Sequence, residues 1–123
     1  MEIKNNAHFF YVVYCKDHTL YAGYTNDLVS RIATHNQGKG AKYTKLSKRR
    51  PVKLIYAEQW ISKSLAMSAE ARFKRLKRYE KEQYLKEHGL RDLQQKEIVI
   101  YDYTDRVERL EQMLTTKNIR EEN

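Results

Sequence analysis

A run of aromatic and β-branched residues at 9–15 (FFYVVYC) is followed, after only four polar residues (KDHT, 16–19), by a second such run at 20–25 (LYAGYT). This composition favours extended strands, and unbroken apolarity predicts burial on both faces of a sheet. A parallel crossover needs a dozen residues or more, so the short connection makes the pair an antiparallel hairpin. Gly23 inside the second run has no side chain to pack, which marks a bulge or a close backbone approach. Tyr11 and Tyr21 share a sheet face only if the hairpin leaves an odd number of loop residues.

Asn26 or Asp27 is the expected N-cap of a helix running to about Asn36, with Leu28 and Ile32 as its apolar row. Gly38 and Gly40 end it, and Pro51 precedes a third strand at about 52–60. Ser62 or Ser64 caps the next helix, which carries Leu65, Ala66, Ala69, Phe73 and Leu76 on one face. Helical propensity persists to about His88, where Gly89 gives a stop. The order β-β-α-β-α predicts an α+β fold with helices packed on a short mixed sheet. Residues 98–101 (IVIY) read as a short strand, and Thr104 as the cap of a helix bearing Val107, Leu110, Met113 and Leu114. Residues 1–88 are therefore expected to form the domain. Residues 89–123 are read as an appendage with a frayed end that packs on the domain, pairs with a second copy or touches a protein partner.

Charge separates the same two parts. Residues 1–88 hold 18 Lys or Arg against 8 Asp or Glu, whereas residues 89–123 hold 6 against 8. The positive field of the first part attracts a polyanion. Lys39, Lys42, Lys45, Lys48, Arg49, Arg50 and Lys53 fall in one stretch without an acidic residue, which favours nucleic acid over a plain solvated loop or a site for acidic protein. No apolar run is long enough for a membrane span, and no signal peptide is visible. Cys15 is the single cysteine, so the cytoplasm is the expected compartment.

Few residues suit catalysis. Arg31 and His35 lie four apart on one helix face, at the edge of the Leu28 and Ile32 row. Glu70 is the one acid between Gln59 and Tyr79, placed by helical rotation at the margin of an apolar stripe. It suits either an ion pair with Lys74 or a hard cation such as Mg²⁺. Zinc-spaced Cys/His clusters, Walker or dinucleotide glycine patterns and a nucleophilic serine elbow are all missing. A two-metal nuclease needs several convergent carboxylates, and Asp17, Asp27, Glu58 and Glu70 are the only acids between residues 3 and 79. One ion is the economical number for a nuclease built from this chain.

Tyr11 with the valines after it, residues 20–25, and residues 27–36 (DLVSRIATHN) together resemble the core of the GIY-YIG nucleases. Residues 38–44 (GKGAKYT) and 64–70 (SLAMSAE) further resemble the small single-domain bacterial branch, the UPF0213 or YhbQ-like proteins. The resemblance covers about residues 8–88 and implies a three-stranded antiparallel sheet flanked by helices. It matches Tyr11 and Tyr21 to the tyrosines of the two half-motifs and Gly23 to the glycine of the second. Arg31 matches the catalytic arginine, His35 the supporting His/Tyr position and Glu70 the metal-ligating glutamate. Phe9 stands where the family name expects glycine, Ala22 replaces isoleucine, and Tyr24 follows Gly23 where some relatives carry lysine. No residue matches the asparagine that some members carry after the glutamate helix.

The implied function is a structure-directed or weakly sequence-specific endonuclease acting on DNA with a single Mg²⁺ or Mn²⁺. The alternative is a nucleic-acid-binding module for DNA or RNA that keeps the fold without catalysis.

Overall fold

The computed structural model describes residues 7–104. Strands β1 (His8–Tyr14) and β2 (Leu20–Thr25) form the expected hairpin. The five connecting residues include His18 at φ 68° and Asp17, whose carboxylate accepts from both the Thr19 amide and the Thr19 hydroxyl. Five is odd, and the register pairs Tyr11 with Gly23 and Val13 with Tyr21. Tyr11 and Tyr21 therefore lie on one face.

Helix α1 (Leu28–Asn36) begins at Asp27, whose carboxylate accepts from the Ser30 amide at 3.1 Å. The chain then turns through a short 3₁₀ segment, Ser47–Arg49, into β3 (Lys53–Trp60). The Asn36 side chain ties α1 to the start of β3, donating to the Val52 carbonyl and accepting from its amide. Strand β3 lies antiparallel to β1 on the side away from β2, with a register shift at Val12/Val13.

Two helices follow where one was expected. Helix α2 (Lys63–Lys74), capped by Ser62, ends before Leu76, and α3 (Arg78–Glu87) starts in a new direction. Phe73 and Leu85 both belong to the core, with Leu76 packed against it, and the break lets both helices reach it. Glu80 supports the restart by accepting from the Lys77 amide at 2.8 Å. Gly89, at φ 101°, ends α3 as expected.

The sheet corrects the three-stranded antiparallel expectation. Strand β4 (Val99–Asp102) adds to the free edge of β3 in parallel, giving a four-stranded mixed sheet in the order β2-β1-β3-β4. Residues 98–101 were read as a short strand, but their pairing partner was not foreseen. Val99 and Tyr101 pack against the core while Ile98 and Ile100 remain exposed. The helix expected after Thr104 lies outside the described residues.

The strand alternation makes two cores. Phe10, Val12, Ile55 and Tyr56 join Ala69 and Phe73 of α2, Leu85 of α3, and Leu90. Tyr11, Val13, Val52 and Ala57 pack on the other side with Leu28 and Ile32 of α1. Among the described residues, no helix is long and apolar enough to cross a membrane.

Candidate active site

Tyr11 is the centre of the second core and is fully buried. Its hydroxyl occupies space that only glycine leaves open across the hairpin: a Cβ on Gly23 would lie 2.5 Å from the Tyr11 oxygen. Helix α1 presents Arg31 and His35 to that oxygen from successive turns, because Leu28 and Ile32 bury the adjoining face. Arg31 Nε donates to the Tyr11 hydroxyl at 3.1 Å, and His35 Nε2 lies 2.7 Å from it. The other imidazole nitrogen, Nδ1, lies 2.7 Å from the Thr44 hydroxyl, which is itself 3.3 Å from the Ala41 carbonyl.

One assignment of protons satisfies this chain. The Thr44 hydroxyl donates to the Ala41 carbonyl, which accepts only, and so receives the His35 Nδ1 proton. His35 Nε2 is then an acceptor and takes the Tyr11 hydroxyl proton, while the Tyr11 oxygen accepts from Arg31. Gly40 allows the loop to lie this close, since a Cβ there would stand 2.6 Å from His35 Nδ1.

Burial dominates the electrostatics. It raises the Tyr11 phenol to about 12, against the opposing pull of the Arg31 hydrogen bond and charge. Tyr21 and Glu70 add smaller upward contributions. Burial, helped by the Arg31 charge, lowers His35 to about 4, so its imidazole is neutral at pH 7. The neutral form is the one the hydrogen-bond assignment requires.

The other site residues from the sequence surround this chain without bonding to it. Tyr21 stands edge-on to the His35 ring, with centroids 5.4 Å apart, and stacks on Tyr43 at 5.3 Å. Glu70 of α2 is close enough for its charge to act on Tyr11, and its carboxylate pairs with Lys74 at 2.8 Å. The Lys74 ammonium lies 5.5 Å from the centre of the Tyr21 ring. Thr44, Gly40 and Lys74 were not singled out from the sequence as members of the site. Thr44 stood at the end of the 38–44 segment, but no periodicity ties a loop residue to a helix face.

The basic stretch divides into two roles. Lys39, Lys42, Lys45 and Lys48 are exposed. Arg49 pairs with Asp17 at 3.2 Å, donates to the Tyr43 carbonyl at 3.1 Å, and lies over the Tyr43 ring at 3.6 Å. Arg50 donates to the Lys45 carbonyl at 3.4 Å, and Lys53 donates to the Gln95 carbonyl. Arg49, Tyr43 and Tyr21 thus form a stack that connects the basic loop to the edge of His35.

No group of three or more His, Cys, Asp or Glu able to hold a metal occurs among the described residues. The site offers one carboxylate, from Glu70. A lone carboxylate suits Mg²⁺ or Mn²⁺ completing its shell with water and phosphate oxygens, and does not suit zinc.

The match to known families decides the kinship: residues 7–88 match the GIY-YIG catalytic domain. The chain belongs to the GIY-YIG family. Within it, the UPF0213 protein YazA of Bacillus subtilis is 60% identical over 85 residues, covering 69% of this chain and 84% of that protein. A UPF0213 protein of Bacillus velezensis is 59% identical over the same coverage. The solution structure of EF2693 from E. faecalis is 47% identical, covers 74% of this chain and 95% of that chain, and gives a TM-score of 0.49. Residues 9–11 (FFY) lie in β1 and residues 21–23 (YAG) on the paired strand β2, with Tyr11 opposite Gly23.

Proposed function

We propose that this GIY-YIG protein is a metal-dependent endonuclease that hydrolyses phosphodiester bonds of DNA by shape or with weak sequence preference. The observation that carries the reading is the hydrogen-bonded chain from Arg31 through Tyr11 and His35 to Thr44, with the Glu70 carboxylate acting on the same phenol. Arg31 supplies a guanidinium for the equatorial phosphate oxygens as charge develops on them. Tyr11 takes the proton of the attacking water as its own proton passes to His35 Nε2. The relay avoids a free phenolate, which burial holds unfavourable.

Burial is the main reason His35 is weakly basic, and a phosphate beside Arg31 offsets the smaller contribution of the Arg31 charge. Its arrival makes the imidazole a better acceptor at the moment a proton must be taken. Glu70 would hold a single Mg²⁺ or Mn²⁺, and such an ion would supply Lewis-acid polarisation of the phosphate and stabilisation of the leaving oxygen. The exposed Lys39, Lys42, Lys45 and Lys48 grip the backbone without reading bases.

A second reading follows from the full burial of Tyr11: a module that binds nucleic acid and leaves it intact. Labelled duplexes, flaps and single strands, incubated in Mg²⁺, Mn²⁺ or EDTA, separate the two. The nuclease reading expects metal-dependent cleavage by the wild type and binding without cleavage by Glu70→Ala. Binding with no cleavage of any substrate in either metal selects the second reading.

A further inference from the structure

Lys63, Glu70 and Lys74 recur at spacings of seven and four, so they form one row along a flank of α2. The row runs beside β2. The Lys63 ammonium is 5.7 Å from the centre of the Tyr24 ring, and the Lys74 ammonium is 5.5 Å from that of Tyr21. Of the two, only Lys74 reaches the carboxylate, with Nζ 2.8 Å from Glu70 Oε2. The Lys74 side chain is 48% exposed against 15% for Glu70, so the ammonium is the more open end of the pair. Glu70 is the carboxylate whose charge acts on Tyr11.

No group of three metal-binding side chains occurs among the described residues, so Lys74 and a divalent cation have one carboxylate between them. Two positive centres on one carboxylate repel each other. A surface pair at this spacing is weak, so Lys74 is readily displaced. Its flexible four-carbon stem then keeps a compact ammonium beside the site, where an anion satisfies it. In a nuclease that anion is a phosphate oxygen of the bound strand.

We propose that Lys74 is a movable counter-ion that couples metal binding to nucleic-acid binding. Glu70 holds Lys74 in the free protein, exchanges it for a divalent cation, and releases the ammonium to a backbone phosphate. Without a phosphate, Lys74 opposes the metal. With one, Lys74 strengthens the grip on the strand only when the metal is present, and by linkage each ligand then favours the other. The inference rests on Glu70 as the metal ligand and goes beyond it by tying metal loading to substrate.

Mn²⁺ binding to the full chain without nucleic acid, read by electron paramagnetic resonance, tests the first half. Lys74→Met should bind Mn²⁺ about fivefold more tightly than the wild type, and Lys74→Arg should restore the wild-type affinity. Lys63→Met controls for general charge. Lys63 lies seven residues from Glu70, about 10 Å along the helix, which is about one screening length at 0.1 M salt. Its replacement should change Mn²⁺ affinity by less than about twofold.

Fluorescence anisotropy of a labelled DNA duplex in EDTA or Mn²⁺, read before any cleavage, tests the second half. Lys74→Met should match the wild type in EDTA and bind about fivefold more weakly in Mn²⁺. Unchanged or weaker Mn²⁺ binding by Lys74→Met would overturn the proposal, as would equal tightening by Lys63→Met. So would a loss of DNA binding that is the same in EDTA and Mn²⁺, since a plain phosphate contact needs no metal. Each of these outcomes leaves Glu70 as the ligand. Finding no Mn²⁺ binding that Glu70→Gln removes would instead sink the metal reading, and this inference with it. Neither arm depends on whether the Tyr11 site cleaves.

Discussion

The Tyr11 hydroxyl and His35 Nε2 stand 2.7 Å apart in a buried site, with Arg31 Nε donating to the same oxygen at 3.1 Å. That relationship sets the direction of the phenol proton toward the imidazole. The far nitrogen of His35 must then carry the ring proton, and Thr44 is the residue that receives it.

Thr44→Val keeps the shape and removes that acceptor. Leaving the buried Nδ1 proton unpaired should cost about 1–3 kcal/mol of stability. It should also shift His35 toward the Nε2-protonated tautomer. Nitrogen NMR of the imidazole and denaturant unfolding check both effects, and Thr44→Ser should restore the wild-type values.

His35 gives the protein a pH-dependent stability. Its folded pKa is about 4 against 6.5 for the free side chain, so the neutral form favours the fold. The contribution is complete above pH 6.5 and falls away as pH drops toward 4, by up to roughly 3 kcal/mol. Asp17, held low first by the Thr19 hydroxyl and then also by Arg49, loses its contribution only below the ordinary carboxylate range. Urea unfolding between pH 7 and 4.5 should show the decline, and His35→Gln should flatten it.

Gly23→Ala is a steric test of the hairpin register. The added methyl would meet the Tyr11 ring and hydroxyl at 2.5–2.6 Å, and a buried ring has no free end to swing away. A loss of about 1–3 kcal/mol is expected by thermal unfolding. The Tyr11–His35 contact should be lost with it.

The basic stretch should separate under mutation. Replacing Lys42, Lys45 and Lys48 by Glu should weaken DNA binding and flatten its salt dependence, by about one unit of slope per lost phosphate contact. Stability should stay within about 0.5 kcal/mol, because these side chains are exposed. Arg49→Ala should instead lower the melting temperature, since Arg49 joins Asp17 to the Tyr43 carbonyl and ring.

What the sequence revealed follows the range of the interactions. The hairpin, the Arg31 and His35 pair, and the caps at Asp27 and Ser62 rest on local spacing and were readable. The common face of Tyr11 and Tyr21 was readable as a condition on loop length. Thr44 was not, because its bond to His35 crosses an aperiodic loop. The parallel pairing of β4 with β3 joins residues some forty positions apart, and only the strand itself had a local signature. The break between α2 and α3 was hidden by good helix formers on both sides, and the needs of Phe73, Leu76 and Leu85 set its place.

Plasmid nicking by the wild type, Tyr11→Phe and Glu70→Ala, in Mg²⁺, Mn²⁺ and EDTA, tests the central claim most directly. The account predicts metal-dependent nicking by the wild type alone, with DNA binding kept by Glu70→Ala. Equal nicking by all three proteins, or nicking that persists in EDTA, would contradict it.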